Sequence, residues 1–136
     1  MFNKWLEYVK EVAEERERKF NALLQRLCRD NLAVVLFGSR ARGDYTPLSD
    51  WDLLVLTKTG NYRVEAGELG QIFWLPVDEV DRVLEFSMVV LDAVMEGRLL
   101  CGSEEVFAKV RDKVEAYIKS RGLVKTKSVW IRKDLL

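Results

Sequence analysis

Apolar positions divide the chain into segments of two different periods. Phe2, Trp5, Leu6, Val9, Val12, Ala13, Phe20, Leu23, Leu24 and Leu27 recur at helical spacing, which predicts one long amphipathic helix over 2–28, the N-terminal segment 1–29. Asp30-Asn31 breaks it. Ala33 to Phe37, AVVLF, is a continuous apolar run of strand length, and Trp51 to Leu56 is a second strand beyond a polar loop that contains Pro47. Thr57 to Asn61 is a turn cluster, and the segment to Gly67 alternates too weakly to assign. Leu69 to Leu75, stopped by Pro76, predicts a third strand. Val77, Val80, Val83 and Leu84 then give a helix one apolar stripe, with Asp78, Glu79 and Asp81 near its positive end. Ser87 is placed as the cap of an apolar helix over Met88–Glu96, with Gly97 as its stop. Arg98 to Cys101 suits a short edge strand. Ser103 caps a last long helix whose stripe is Val106, Phe107, Val110, Val114, Tyr117 and Ile118, ended by Gly122.

This order predicts an α/β (α+β) fold: a small mixed sheet flanked by helices, with long helices near both ends. With 136 residues and no linker, repeat or low-complexity tract, the expectation is a single domain over 1–136. The tail 123–136 carries Lys125, Lys127, Arg132 and Lys133 against Asp134, with Trp130 and Ile131 among them. A terminus of this kind frays by default; alternatively its cations touch phosphates or dock on a partner, and the sequence does not choose. The charge run EERERK in the first helix reads as a solvated face, and the first half of that helix is free to extend past the core towards a partner.

The chemistry concentrates between the first two strands. Gly38-Ser39 breaks the first strand, ten residues follow, and Asp50-Trp51-Asp52-Leu53 opens the second. Side chains alternate along a strand, so Asp50 and Asp52 share a side if Asp50 continues it. Adjacent carboxylates repel unless a cation lies between them, and their hard oxygens suit Mg²⁺ accompanied by a substrate's phosphates. Gly38 lets backbone approach a bulky anion, and a short helix begun at Ser39, a good N-cap residue, would aim its amides at that anion.

The Gly-Ser turn and the Asp-x-Asp strand at this separation resemble the signature of the DNA polymerase β-type nucleotidyltransferase superfamily, and in particular its minimal nucleotidyltransferases. The resemblance implies a fold and a reaction: transfer of a nucleoside monophosphate from a triphosphate to an acceptor, with release of pyrophosphate. By position, Gly38 and Ser39 bind phosphate, while Asp50 and Asp52 bind metal and are catalytic, with a two-metal site possible. Arg40 and Arg42 are candidates to neutralise the triphosphate, each equally able to form a salt bridge instead, for example with Asp44. ATP is the implied donor and AMP the group moved. The implied partner is a helical protein of the HEPN type, with the chain as its antitoxin. Self-association is left open. The family's third carboxylate is the departure. Its strand, LGQIFWL, has no acid; Gln71 occupies the best position, and Glu68, Asp78 and Glu79 lie outside the right context. The alternative is therefore a catalytically weakened fold that neutralises its partner by contact.

Composition narrows the picture further. Lys+Arg and Asp+Glu balance at 22 each, so no global basic field favours nucleic acid. With no histidine, a histidine base, a histidine-ligated zinc and a Ser-His-Asp triad are excluded. No apolar run reaches membrane length and the first residues lack a secretory core, which predicts a cytoplasmic protein. In that setting Cys28 and Cys101 are expected to be reduced, buried small hydrophobes.

Overall fold

A computed structural model describes residues 2–127 and 129–136; Met1, Ser128 and the side chain of Phe2, a predicted member of the first stripe, lie outside the described residues. The first helix, α1, runs Phe2–Asp30. Strand β1 (Ala33–Phe37), a four-residue helix α2 (Ser39–Arg42) and strand β2 (Asp52–Thr57) follow. Next come β3 (Arg63–Ala66) and β4 (Gln71–Pro76), so the run expected as a third strand is the fourth. All four β3 residues are exposed, and its two apolar positions, Val64 and Ala66, are too few to set a period. After a 3₁₀ turn at Val77–Glu79 come α3 (Val80–Leu84), α4 (Met88–Glu96), β5 (Arg98–Gly102) and α5 (Glu104–Arg121). Ser87 and Ser103 accept from the amides of Val90 and Val106, capping α4 and α5 as predicted.

The sheet has the order β3-β4-β2-β1-β5. β1 is antiparallel to both β2 and β5, and β2 is parallel to β4. The fold is therefore the mixed α/β arrangement that the pattern predicts. β1 is buried along its whole length because both faces are covered. Val35, Leu54 and Leu75 pack with Val83, Val90, Val94, Val110 and Val114 from the helices α3, α4 and α5. Val34, Leu53 and Val55 pack beneath Phe20 and Leu27 of α1.

Two expectations are corrected at the ends of the chain. Cys28 and Cys101 form a disulfide, with Cα atoms 5.9 Å apart, across 73 residues of sequence. Their isolation in sequence and the absence of an export signal point to free thiols, but the fold brings the end of α1 against β5. The tail does not fray. β6 (Leu123–Lys125) and β7 (Trp130–Arg132) form an antiparallel hairpin, anchored by buried Trp130. Among the described residues, no helix is long and apolar enough to cross a membrane.

Candidate active site

The site forms where β1 ends and β2 begins. Antiparallel pairing sets Phe37 opposite Asp52, which brings the Gly38 turn against the second motif aspartate. Gly38 has φ 76°, and a Cβ there would lie 2.6 Å from Asp52 Oδ2. Only glycine fits both the conformation and the space. The helix α2 begins at Ser39 but has no side-chain cap, so the predicted hydroxyl cap does not form. Instead the Ala41 and Arg42 amides return to the Gly38 carbonyl, both at 3.1 Å. The Ser39 and Arg40 amides, first in the helix, have no earlier helical carbonyl to reach. Gly43 closes the turn at φ 91°, donating to the Ser39 carbonyl at 2.9 Å.

The two aspartates differ in environment. Asp52 is the first residue of β2 and half-buried. Burial pushes its carboxyl above the usual carboxylate range, and the charge of Asp50 adds to this. The Gln71 backbone amide and, less strongly, Arg42 pull it down. Asp50 is exposed and precedes the strand, so the parity argument does not fix its direction. Its Oδ1 accepts from Arg16 Nη2 at 3.1 Å, and Arg16 Nη1 donates to the Glu68 carbonyl at 3.1 Å. A helix-borne cation thus stands beside the outer aspartate.

Arg16 was missed because it lies inside the run EERERK, but a signal was present. It falls four residues after Val12 and four before Phe20, on the inward stripe of α1. Its side chain is 17% exposed, and its Nε is buried without a hydrogen-bond partner.

Arg40 and Arg42, taken together from sequence, separate in the fold. Arg40 donates from Nε to the Ser49 carbonyl at 3.1 Å and from Nη2 to the Pro47 carbonyl at 3.2 Å. Its guanidinium carbon lies 3.7 Å from the Trp51 ring centroid and 4.8 Å from that of Tyr45. Trp51 in turn stacks on Phe20 with centroids 4.7 Å apart and planes 8° apart. Arg40 is thereby the brace of the loop that carries Asp50. Arg42 is exposed and makes long ion pairs with Asp44, at 3.5 Å, and Glu96, at 3.9 Å.

Gln71 stands at the start of β4, in register beside Asp52, since Leu53 pairs with Ile72. No acid takes its place. Among the described residues there is no group of three or more His, Cys, Asp or Glu side chains arranged to hold a metal. Asp50, Asp52 and the Gln71 amide oxygen can supply hard oxygens for one Mg²⁺ completed by phosphate and water. They do not form a protein-held cage for two ions.

Residues 9–121 match the family model described as a nucleotidyltransferase domain. The chain belongs to that family. A bifunctional uridylyltransferase/uridylyl-removing enzyme of Vibrio vulnificus is 31% identical, over 76% of this chain and 14% of the enzyme. The corresponding Vibrio cholerae enzyme is 29% identical, over 59% of this chain and 11% of its own length. This nucleotidyltransferase domain therefore spans between a ninth and a seventh of the length of those relatives. Two solved structures share its fold. One is a toxin-antitoxin crystallised with AMP-PNP, 20% identical, covering 73% of this chain and 86% of its own, at TM-score 0.52. The other is a mutant of the toxin-antitoxin MntA-HpeT, 17% identical, covering 78% and 88%, at TM-score 0.50.

Proposed function

We propose that this nucleotidyltransferase moves AMP from ATP to an acceptor on a partner protein, using Mg²⁺ held by Asp50 and Asp52. The observation that supports it is the closure of the Gly38 turn onto Asp52, which puts an open backbone turn and a metal-binding carboxylate at one point. Gly38 and Ser39 present backbone to the phosphates, and Arg42 lies exposed nearby to offset their charge. A divalent ion, when bound, lowers the cost of negative charge that develops on the α-phosphate. Gln71 can position a ligand or the acceptor, but its amide takes no proton at neutral pH, so the acceptor hydroxyl must lose its proton elsewhere. ATP, and a protein partner of the HEPN type with this chain as antitoxin, follow from the motif's resemblance; the toxin-antitoxin neighbours and the AMP-PNP of one of them support this choice.

Gln71 favours a second reading, in which the fold binds nucleotide weakly and neutralises the partner by contact alone. Calorimetry of ATP with Mg²⁺ tests the first. Wild type should bind only with the metal, and the Asp50→Asn, Asp52→Asn double variant should lose binding while staying folded. Transfer of label from α-labelled ATP to the partner should vanish in Asp50→Asn. A variant that still protects against the partner without any transfer would establish the contact reading instead.

A further inference from the structure

The sequence leaves the basic tail unassigned, and the fold gives it a place. A cavity of about 450 Å³ lies between the Gly38 turn, one face of α4 and the β6–β7 hairpin, with Gly38, Arg42, Val89, Lys125 and Lys127 on its walls. That volume is in the range of small-molecule sites. It opens beside the backbone turn that the proposed function assigns to phosphate.

The charges around the cavity are not equivalent. Asp92 on α4 accepts from the Trp130 indole at 2.7 Å and pairs with the Lys125 ammonium. Glu96, one helical turn on, lies 3.6 Å from Lys125 and 3.9 Å from Arg42. Asp44 is taken by Arg42. Arg42 and Lys125 are thus both engaged by the three lining carboxylates. Lys127 lines the same cavity, yet no carboxylate pairs with it among the described residues.

The hairpin is also held firmly enough to aim a cation. Buried Trp130 and Lys125 fasten it to Asp92, and the Lys133 amide donates to the Gly122 carbonyl at 2.7 Å. The Thr126 amide donates to the Val129 carbonyl at 2.9 Å, closing the tip that carries Lys127. The hairpin begins at Leu123, beyond the segment 9–121 that matches the family. Its lysine is therefore outside the part of the chain that the family model describes.

We propose that the hairpin is the outer wall of the polyphosphate site and that Lys127 binds the terminal phosphates of the donor nucleotide. The inference rests on the proposed nucleotidyl transfer and names a contact within it. A mobile ammonium at a hairpin tip suits a group that must be gripped as triphosphate and released as pyrophosphate, since lysine binds phosphate as a point charge rather than a rigid fork.

The test is calorimetry of ATP and AMP, each with Mg²⁺, on wild type, Lys127→Ala and Lys127→Arg, beside the Asp50→Asn, Asp52→Asn double variant. Lys127→Ala should weaken ATP about tenfold, the value of one charge-assisted phosphate contact, and leave AMP unchanged. Lys127→Arg should restore ATP. If Lys127→Ala binds ATP like wild type while the double variant does not, the hairpin assignment is wrong and nucleotide binding at the aspartates stands. An equal loss for ATP and AMP also overturns it, since the contact would then lie away from the outer phosphates. If wild type binds no ATP, both the assignment and the reading beneath it fall.

Discussion

At the scale of single residues, the site places a stability cost where the chemistry is. Asp52 is half-buried beside Asp50, and its folded pKa is raised. An acid of this kind binds its proton more readily folded than unfolded. Its charged form therefore destabilises the protein above the folded pKa, and the penalty disappears as pH falls through that value. Asp52→Asn should raise the melting temperature of the metal-free protein at neutral pH, and the gain should vanish in acid, as scanning calorimetry from pH 4 to 8 would reveal. Equal melting temperatures at all pH values would refute the assignment of strain to this carboxylate. The Gly38-Ser39 and Asp50/Asp52 pairing was legible in sequence because each half breaks or opens a strand. What sequence could not supply was the direction of Asp50, which lies two residues before the strand that would have fixed it.

Elements explain how the loop between β1 and β2 is held. A loop carrying an exposed aspartate would ordinarily be mobile. Here α1 lies along it, with Phe20 stacked on Trp51 and Arg16 reaching Asp50. Lys19 adds a bond to Glu68 at 2.7 Å, raising the lysine and lowering the glutamate from their ordinary ranges. Arg16 would oppose a metal at Asp50, because its guanidinium is already bound to Asp50 Oδ1 and would repel a divalent ion there. Arg16→Gln should tighten Mg²⁺ binding severalfold while lowering the melting temperature, measured by metal titration and thermal unfolding on the same samples. Weaker Mg²⁺ binding would instead make Arg16 the residue that holds Asp50 in place for the ion. The run EERERK hid this role because local charge density outweighs one inward position in any window average. β3 was hidden for the opposite reason, since only Val64 and Ala66 alternate in it and neither is buried.

The whole molecule is closed by a bond that no local pattern announces. The Cys28–Cys101 disulfide joins the end of α1 to β5 across 73 residues, a stretch that contains Gly38, Asp50, Asp52 and Gln71. A loop of that size restricts the unfolded chain by about 4 kcal/mol in the entropy model. Reduction should therefore lower the melting temperature by roughly 10 °C, which thermal unfolding with and without a thiol would measure. No change on reduction would mean that the thiols are already apart in solution. The long helices, the strands β1, β2 and β4, and the Ser87 and Ser103 caps were readable from local pattern, whereas pairings over such separations are made only by the finished topology. The tail, too, acquired a structure through partners outside it, among them Asp92 of α4, which accepts from Trp130. Among the chain's four tryptophans, Trp51 alone lies between the two motif aspartates, with Arg40 on one face and Phe20 on the other. Its ring therefore feels any rearrangement of charge at the carboxylates, and its emission colour and intensity make it a built-in optical gauge of the site, needing no attached dye.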